Sequence, residues 1–173
     1  VDNLCSSGEE CTKVLSASGR WVERLIHFSN ECQIIVASFY GISGASVKGT
    51  KHTDNERLMQ MALTRIAVNG AVPYIFGTDL NDNPNHSESV TMAVEAEIVE
   101  DVVAAAFGNA PPPTYCKGGI HEGMRGSGCT RIDTLLCNST ARHALQSIQY
   151  VYNNSHRFDH VPIAGIFNIR RYL

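Results

Sequence analysis

The sequence predicts a layered α/β domain, and three observations point to it. Runs of β-branched and aromatic residues of strand length recur along the chain, a helical stripe separates two of them, and no segment repeats another. With 173 residues, 43% of them hydrophobic, the chain is large enough to bury one core without help from disulfides or metal.

Residues 1–19 read as an irregular lead-in, rich in Ser, Glu and Cys and without a clear period. Residues 20–28 and 32–40 are β-branched and aromatic, and the Ser29-Asn30-Glu31 interval between them is turn-like, so the pair forms a hairpin. Asp54 caps a helix whose Leu58, Met61, Ala62, Arg65 and Ile66 share one face at i, i+3, i+4 spacing, and Gly70 ends it. That stripe is a core-packing face. A strand at 72–76 delivers the chain into Gly77-Thr78-Asp79-Leu80-Asn81-Asp82-Asn83-Pro84, a run of polar turn formers and therefore a platform for site residues. Asn85, with Glu88 three residues on, has the form of a capping box; it opens a helical region that runs, with a break or two, toward Phe107. Pro111-Pro112-Pro113 stops that region, and the glycine-rich stretch 116–129 predicts a mobile flap. Strands at 130–137, 145–152 and 161–169 complete the order.

Composition narrows the function. Fourteen Lys and Arg against 17 Asp and Glu give a net charge of -3, and no charge run marks a tail. Global attraction to nucleic acid is not expected, and any action on it would have to rest on local contacts and a metal ion rather than on a basic face. The six cysteines match no zinc-site spacing; they read as buried thiols or, in an oxidising compartment, as disulfides such as Cys5 to Cys11. The longest apolar stretch, 33–40, is too short to span a bilayer, and nothing assigns a compartment.

Three segments place acidic and amide side chains at strand ends: Asp79 with Asn81, Arg131 with Asp133, and Asp159 with His160. A single loop carboxylate is ordinarily a turn or cap residue, so the information lies in their order. Gly-x-Asp-x-Asn after an apolar strand, Arg-Ile-Asp at the head of another and Asp-His-x-Pro before the last resemble, in that order, the carboxy-terminal motifs of the endonuclease/exonuclease/phosphatase (DNase I-like) superfamily. Phe39-Tyr40-Gly41 and Pro113-Thr114-Tyr115 fit the same pattern. The resemblance implies a four-layered α/β/β/α sandwich of two mixed sheets. Residues 20–173 would form a partial domain covering about two-thirds of it and lacking the amino-terminal part.

Hydrolysing a phosphoester requires an activated water, a neutralised phosphate and a stabilised leaving oxygen, and a divalent ion supplies much of the last two. The resemblance implies His160 against the phosphate as general acid/base or donor, and Asp159 near the metal or phosphate. It implies Asp79 orienting the attacking water or polarising a His, Asn81 donating its amide to a phosphate oxygen, and Asp133 fixing another site residue. Arg131 would hold the strand end beside the substrate, and Tyr40 would donate its hydroxyl to phosphate. Hard oxygen ligands imply Mg²⁺ or Mn²⁺ rather than zinc. The bland alternatives are a core histidine at 160 and a packing tyrosine at 40. The remaining histidines, His52 and His86 among them, show no partner spacing and read as surface residues.

The family's amino-terminal half ordinarily brings an Asn and a Glu that is the principal metal ligand, and Glu9, Glu10 and Glu23 do not stand in the expected setting. Two functions follow from the sequence. One is metal-dependent hydrolysis of a phosphate-ester substrate, a phosphodiester or phosphomonoester, with nucleic acid as a candidate. The other is a noncatalytic structural or binding subunit of a larger assembly, in which a protein partner covers the incomplete sheet.

Overall fold

The computed structural model describes residues 8–28, 32–108, 110–117, 128–152 and 159–168. Part of the lead-in expected to be irregular is a helix, α1 (Gly8–Ala17). Only Cys11 and Leu15 of α1 are buried, one turn apart. Two apolar residues are too few to show a period in the sequence, and packing against a later helix supplies what local propensity does not.

The expected hairpin follows. β1 (Trp21–His27) pairs antiparallel with β2 (Gln33–Tyr40), Trp21 opposite Phe39 and His27 opposite Gln33. α2 (Thr50–Val68) begins four residues before the expected Asp54 cap, after Gly49 and without a side-chain cap. Its Met61, Ala62 and Ile66 face the core as the stripe requires. Arg65 instead forms a bidentate pair with Glu23 of β1 (Nη2 to Oε1 2.9 Å, Nε to Oε2 3.3 Å), and the Tyr74 hydroxyl donates to the same carboxylate. Helix, edge strand and central strand are thus tied together.

β3 (Tyr74–Asp79) starts two residues later than expected and runs on through Gly77-Thr78-Asp79, because it is paired along that length on both sides. A 3-10 turn, Pro84–His86, comes next, capped by Asn83. Ser87, not Asn85, caps α3 (Glu88–Glu95), its hydroxyl accepting from the Val90 N–H at 3.2 Å. The turn consumes Asn85, whose own N–H is donated to the Asn83 side chain. β4 (Glu100–Asp101) and α4 (Val102–Phe107) provide the break in the helical region, and Asp101 caps α4. β5 (Tyr115–Cys116) and β6 (Cys129–Thr130) form a small ribbon closed by a Cys116–Cys129 disulfide, which corrects the buried-thiol reading for this pair. Cys5 and most of the glycine-rich flap, 118–127, lie outside the described residues. β7 (Asp133–Cys137), α5 (Ser139–Ala144), β8 (Leu145–Tyr150) and β9 (Ile163–Phe167) complete the order. The short α5, unanticipated from the sequence, is set by Asn138, which caps it and also bridges to the Tyr74 N–H.

The main sheet has the order β1-β2-β3-β7-β4, with β2 and β3 parallel and the other pairs antiparallel. Alternation along each strand divides its side chains between two faces. Ile35, Ala37, Phe39, Tyr74, Phe76 and Leu136 pack beneath α1, α2 and α3 with Leu15, Met59, Ala62 and Ile66. On the other face, Ile75 and Leu135 meet the β8–β9 ribbon through Leu145, Ile148 and Phe167. Helix layer, main sheet and ribbon are the parts of the expected sandwich that the described residues form. Farther along this second face, Val22, Ile26 and Val36 are 56%, 39% and 37% exposed. No helix among the described residues is long and apolar enough to cross a membrane.

Candidate active site

Strand pairing places the acidic residues. Asp79 ends β3 and Asp133 begins β7, and the antiparallel register sets them opposite each other. The parallel register sets Tyr40, the last residue of β2, beside Asp79. Registered partners point to the same face, so the three side chains share one end of the sheet. His160 reaches them from the far end of the chain through a bridge to Tyr115, and its Nδ1 lies 2.9 Å from Asp133 Oδ2. One ligand atom from each of Asp79, Asp133 and His160 lies within 4.8 Å of the others.

Hydrogen bonds from the surrounding chain pin this corner. Asn81 occupies the left-handed region at φ 51, which Asn tolerates better than most residues. Its N–H donates to Asp79 Oδ1 at 2.9 Å, and its side-chain amide donates to the Gly41 carbonyl at 3.0 Å. Asn55 of α2, 2% exposed, accepts from the Ile42 N–H at 2.8 Å and donates to the Leu80 carbonyl at 3.1 Å, tying the ends of β2 and β3 together. Gly41 is required for this approach, since a Cβ there would lie 2.3 Å from the Leu80 oxygen.

Burial and like charge act together on the carboxylates. Burial is the largest cause pushing the Asp79 carboxyl above the ordinary carboxylate range; Asp133 and Asp159 push it the same way, while the Asn81 N–H and His160 oppose. Asp133 is raised chiefly by burial as well, with the Thr114 hydroxyl and His160 pulling down and Asp159 pushing up. A cavity of about 520 Å³ opens here, lined by Tyr40, Asp79, Asn81, Asp159 and His160 among others. A second pocket, bordered by Ser38, Gly77 and Leu135, joins it along the exposed face of the sheet.

Tyr40 is 51% exposed at the rim and so is not a packing residue. The Arg20 guanidinium lies 5.6 Å over its ring and donates to the carbonyls of Tyr40 and Gly41. Asp159 is exposed beside the cavity but lies outside the converging group of Asp79, Asp133 and His160. Arg131 departs from its expected place at the substrate. It is 5% exposed, with Nη1 2.9 Å from Asp101 Oδ2, and Thr134 bridges the pair by donating to Asp101 Oδ1. Its guanidinium is committed to the scaffold, which suits the strand-end part of the expectation and not the ligand part.

Two histidines that read as surface residues without partner spacing in fact flank a carboxylate beside the cavity. His52 Nδ1 lies 3.8 Å and His86 Nδ1 3.4 Å from the carboxylate of Asp82, itself 6% exposed. The i, i+4 step from Asp82 to His86 was a readable signal. His52 arrives from α2 and carried none.

No family model matches the chain, and no curated protein matches it. Solved structures do. The catalytic domain of Xenopus laevis APE2 superposes with a TM-score of 0.62 at 14% identity, over 92% of this chain and 58% of that one. An AP endonuclease from Archaeoglobus fulgidus gives 0.57 at 12% identity, over 97% and 85%. A 3'-5' exonuclease, NExo, from Neisseria meningitidis gives 0.57 at 13% identity, over 90% and 82%. The chain therefore has a mixed α/β fold of the DNase I-like type. This is the fold of the endonuclease/exonuclease/phosphatase proteins, whose motif order the sequence resembles.

Proposed function

We propose that this chain hydrolyses phosphodiester bonds of nucleic acid with the aid of a divalent cation. The observation that carries the reading is the Asp133–His160 hydrogen bond beside Asp79, in an open cavity at the end of the sheet. The similar solved structures support action on a phosphate ester of nucleic acid by their own descriptions: an AP endonuclease, and NExo, described as a 3'-5' exonuclease and, bound to a product DNA hairpin, as a 3' phosphatase.

The donor set fits a hard cation. Two part-buried carboxylates and an imidazole converge, Asp159 stands close by, and the mutual repulsion of these acids is what a positive ion relieves. Asp79 and Asp133 would hold it, with Asp159 beside them, and Mg²⁺ or Mn²⁺ suits such oxygen ligands. When bound, the ion neutralises phosphate charge and stabilises the leaving oxygen. Asp133 fixes the tautomer of His160 by accepting from Nδ1, which leaves Nε2 to exchange a proton with, or donate to, a phosphate oxygen. Asp79, held by the Asn81 N–H, orients the attacking water. The Tyr40 hydroxyl lines the cavity as a donor to the phosphate, and Asn81, one amide N–H of which holds the Gly41 carbonyl, offers its second. Arg131 acts from behind, holding the start of β7.

A second reading, a noncatalytic binding subunit, draws on the exposed Val22, Ile26 and Val36, an apolar surface that a protein partner would cover. One experiment separates the two: cleavage of plasmid DNA and of a generic phosphodiester with Mg²⁺ or Mn²⁺, with chelator, and with His160→Ala. Metal-dependent cleavage that falls about 10²- to 10⁴-fold in the variant supports the hydrolase. Absence of cleavage under every condition overturns it in favour of the binding subunit.

A further inference from the structure

We infer that Thr114 is the positioning residue of the Asp133–His160 pair, its hydroxyl holding the Asp133 segment while its carbonyl holds the segment that carries His160. The inference rests on the hydrolytic reading of this site and assigns Thr114 no contact with substrate.

Thr114 is completely buried. Its Oγ1 accepts from the N–H groups of both Ile132 and Asp133, each at 3.0 Å. A hydroxyl oxygen has two acceptor sites, and both are used on a single dipeptide. The backbone of Thr114 is committed as well. Its N–H donates to the Thr130 carbonyl at 3.1 Å, and its carbonyl accepts from the Val161 N–H at 2.7 Å, one residue after His160. Tyr115 continues the seam, bridging to His160 with ring centroids 5.1 Å apart, and the Cys116 N–H donates to the Asp159 carbonyl at 2.9 Å.

Asp133 and His160 lie on separate segments, and each is held by the single strip that begins at Thr114. The strip sets their separation. Thr suits the task better than Ser because its β-branch restricts χ1, which keeps Oγ1 aimed at the two N–H groups. Valine has the same shape but would leave both donors buried without a partner. Relaxation of those groups would shift Asp133 relative to the ring, and a displacement of about 1 Å in a catalytic group costs on the order of 10²-fold in rate.

The test compares Thr114→Val and Thr114→Ser with the native chain by steady-state kinetics on a phosphodiester with Mg²⁺. In parallel, the downfield imidazole N–H proton of the His160–Asp133 hydrogen bond is followed by NMR. Thr114→Val is expected to lose about 10- to 100-fold in kcat with KM unchanged, and to lose the downfield resonance. Thr114→Ser keeps the bonds but frees χ1, so it is expected to fall between the two, with a broadened resonance and a few-fold lower kcat. A folded Thr114→Val that melts earlier yet keeps both resonance and kcat makes the residue merely structural and overturns the inference. Should Thr114→Val not fold, an unchanged resonance and rate in Thr114→Ser overturns it equally. The resonance needs no turnover. If the native chain proves inactive and the resonance still responds as expected, the hydrolase reading fails and the positioning role stands; a native chain without the resonance removes the pair itself.

Discussion

Asp133→Asn separates what this carboxylate does for chemistry from what it costs the fold. The side chains are nearly isosteric, so the change removes a charge and a proton acceptor from a point 2.9 Å from His160 Nδ1. A hydrogen bond to a charged group contributes about 1.5–3 kcal/mol, which corresponds to roughly 10- to 150-fold in rate from the imidazole alone at saturating Mg²⁺, weaker cation binding adding to the loss below saturation. Stability should move the other way. Burial holds the folded carboxyl above its unfolded value in spite of Thr114 and His160. A raised folded value means that the associated stability is full below the unfolded value and is lost as pH rises through the folded one. The native chain loses it as pH rises through the folded value, and an Asn side chain has nothing to lose. The variant is therefore expected to melt no lower than the native chain at pH 7, and any advantage should vanish on acidification below the ordinary carboxylate range. Initial rates with Mg²⁺ and thermal denaturation followed by circular dichroism at two pH values measure both quantities. A variant that keeps the native rate, or that melts several degrees lower at pH 7, would refute the reasoning.

Three further changes test the scaffold. Asp101→Asn keeps an oxygen for the α4 cap but leaves the buried Arg131 guanidinium facing a neutral group; the expected loss is about 3 kcal/mol in chemical denaturation, most of it recovered when Arg131→Met is added. Gly41→Ala must part β2 from the Leu80 carbonyl, 2.3 Å from the new Cβ, so turnover should fall together with about 1–3 kcal/mol of stability. Reducing the Cys116–Cys129 disulfide, which spans 13 residues, should lower stability by about 3 kcal/mol. Because β5 also holds His160, turnover should fall with it, and Cys129→Ser should reproduce both effects without reductant.

Much of the strand framework was legible because strand signals are local. The hairpin of β1 and β2 follows from two β-branched runs about a polar turn, and β3 from an apolar run before one. The places where the reading failed are those where a distant partner decides. α1 needs α2 to bury Cys11 and Leu15; α3 takes its cap from Ser87 because a 3-10 turn claims Asn85; β4 is only two residues long and exists through pairing with β7.

The same division runs through the site. Which residues stand at strand ends is legible locally, since the order Asp79, Asn81, Arg131, Asp133, Asp159, His160 is written in the motifs and each motif borders a strand signal. Which of them meet depends on the folded arrangement. The register of β3 with β7 brings Asp79 to Asp133, the Tyr115 bridge delivers His160 to that pair, and burial against Asp101 draws Arg131 away from it. The chemistry of a strand end is a property of its own residues, whereas register and burial are properties of its neighbours. Those neighbours lie many residues away, where no local period in the sequence can report them.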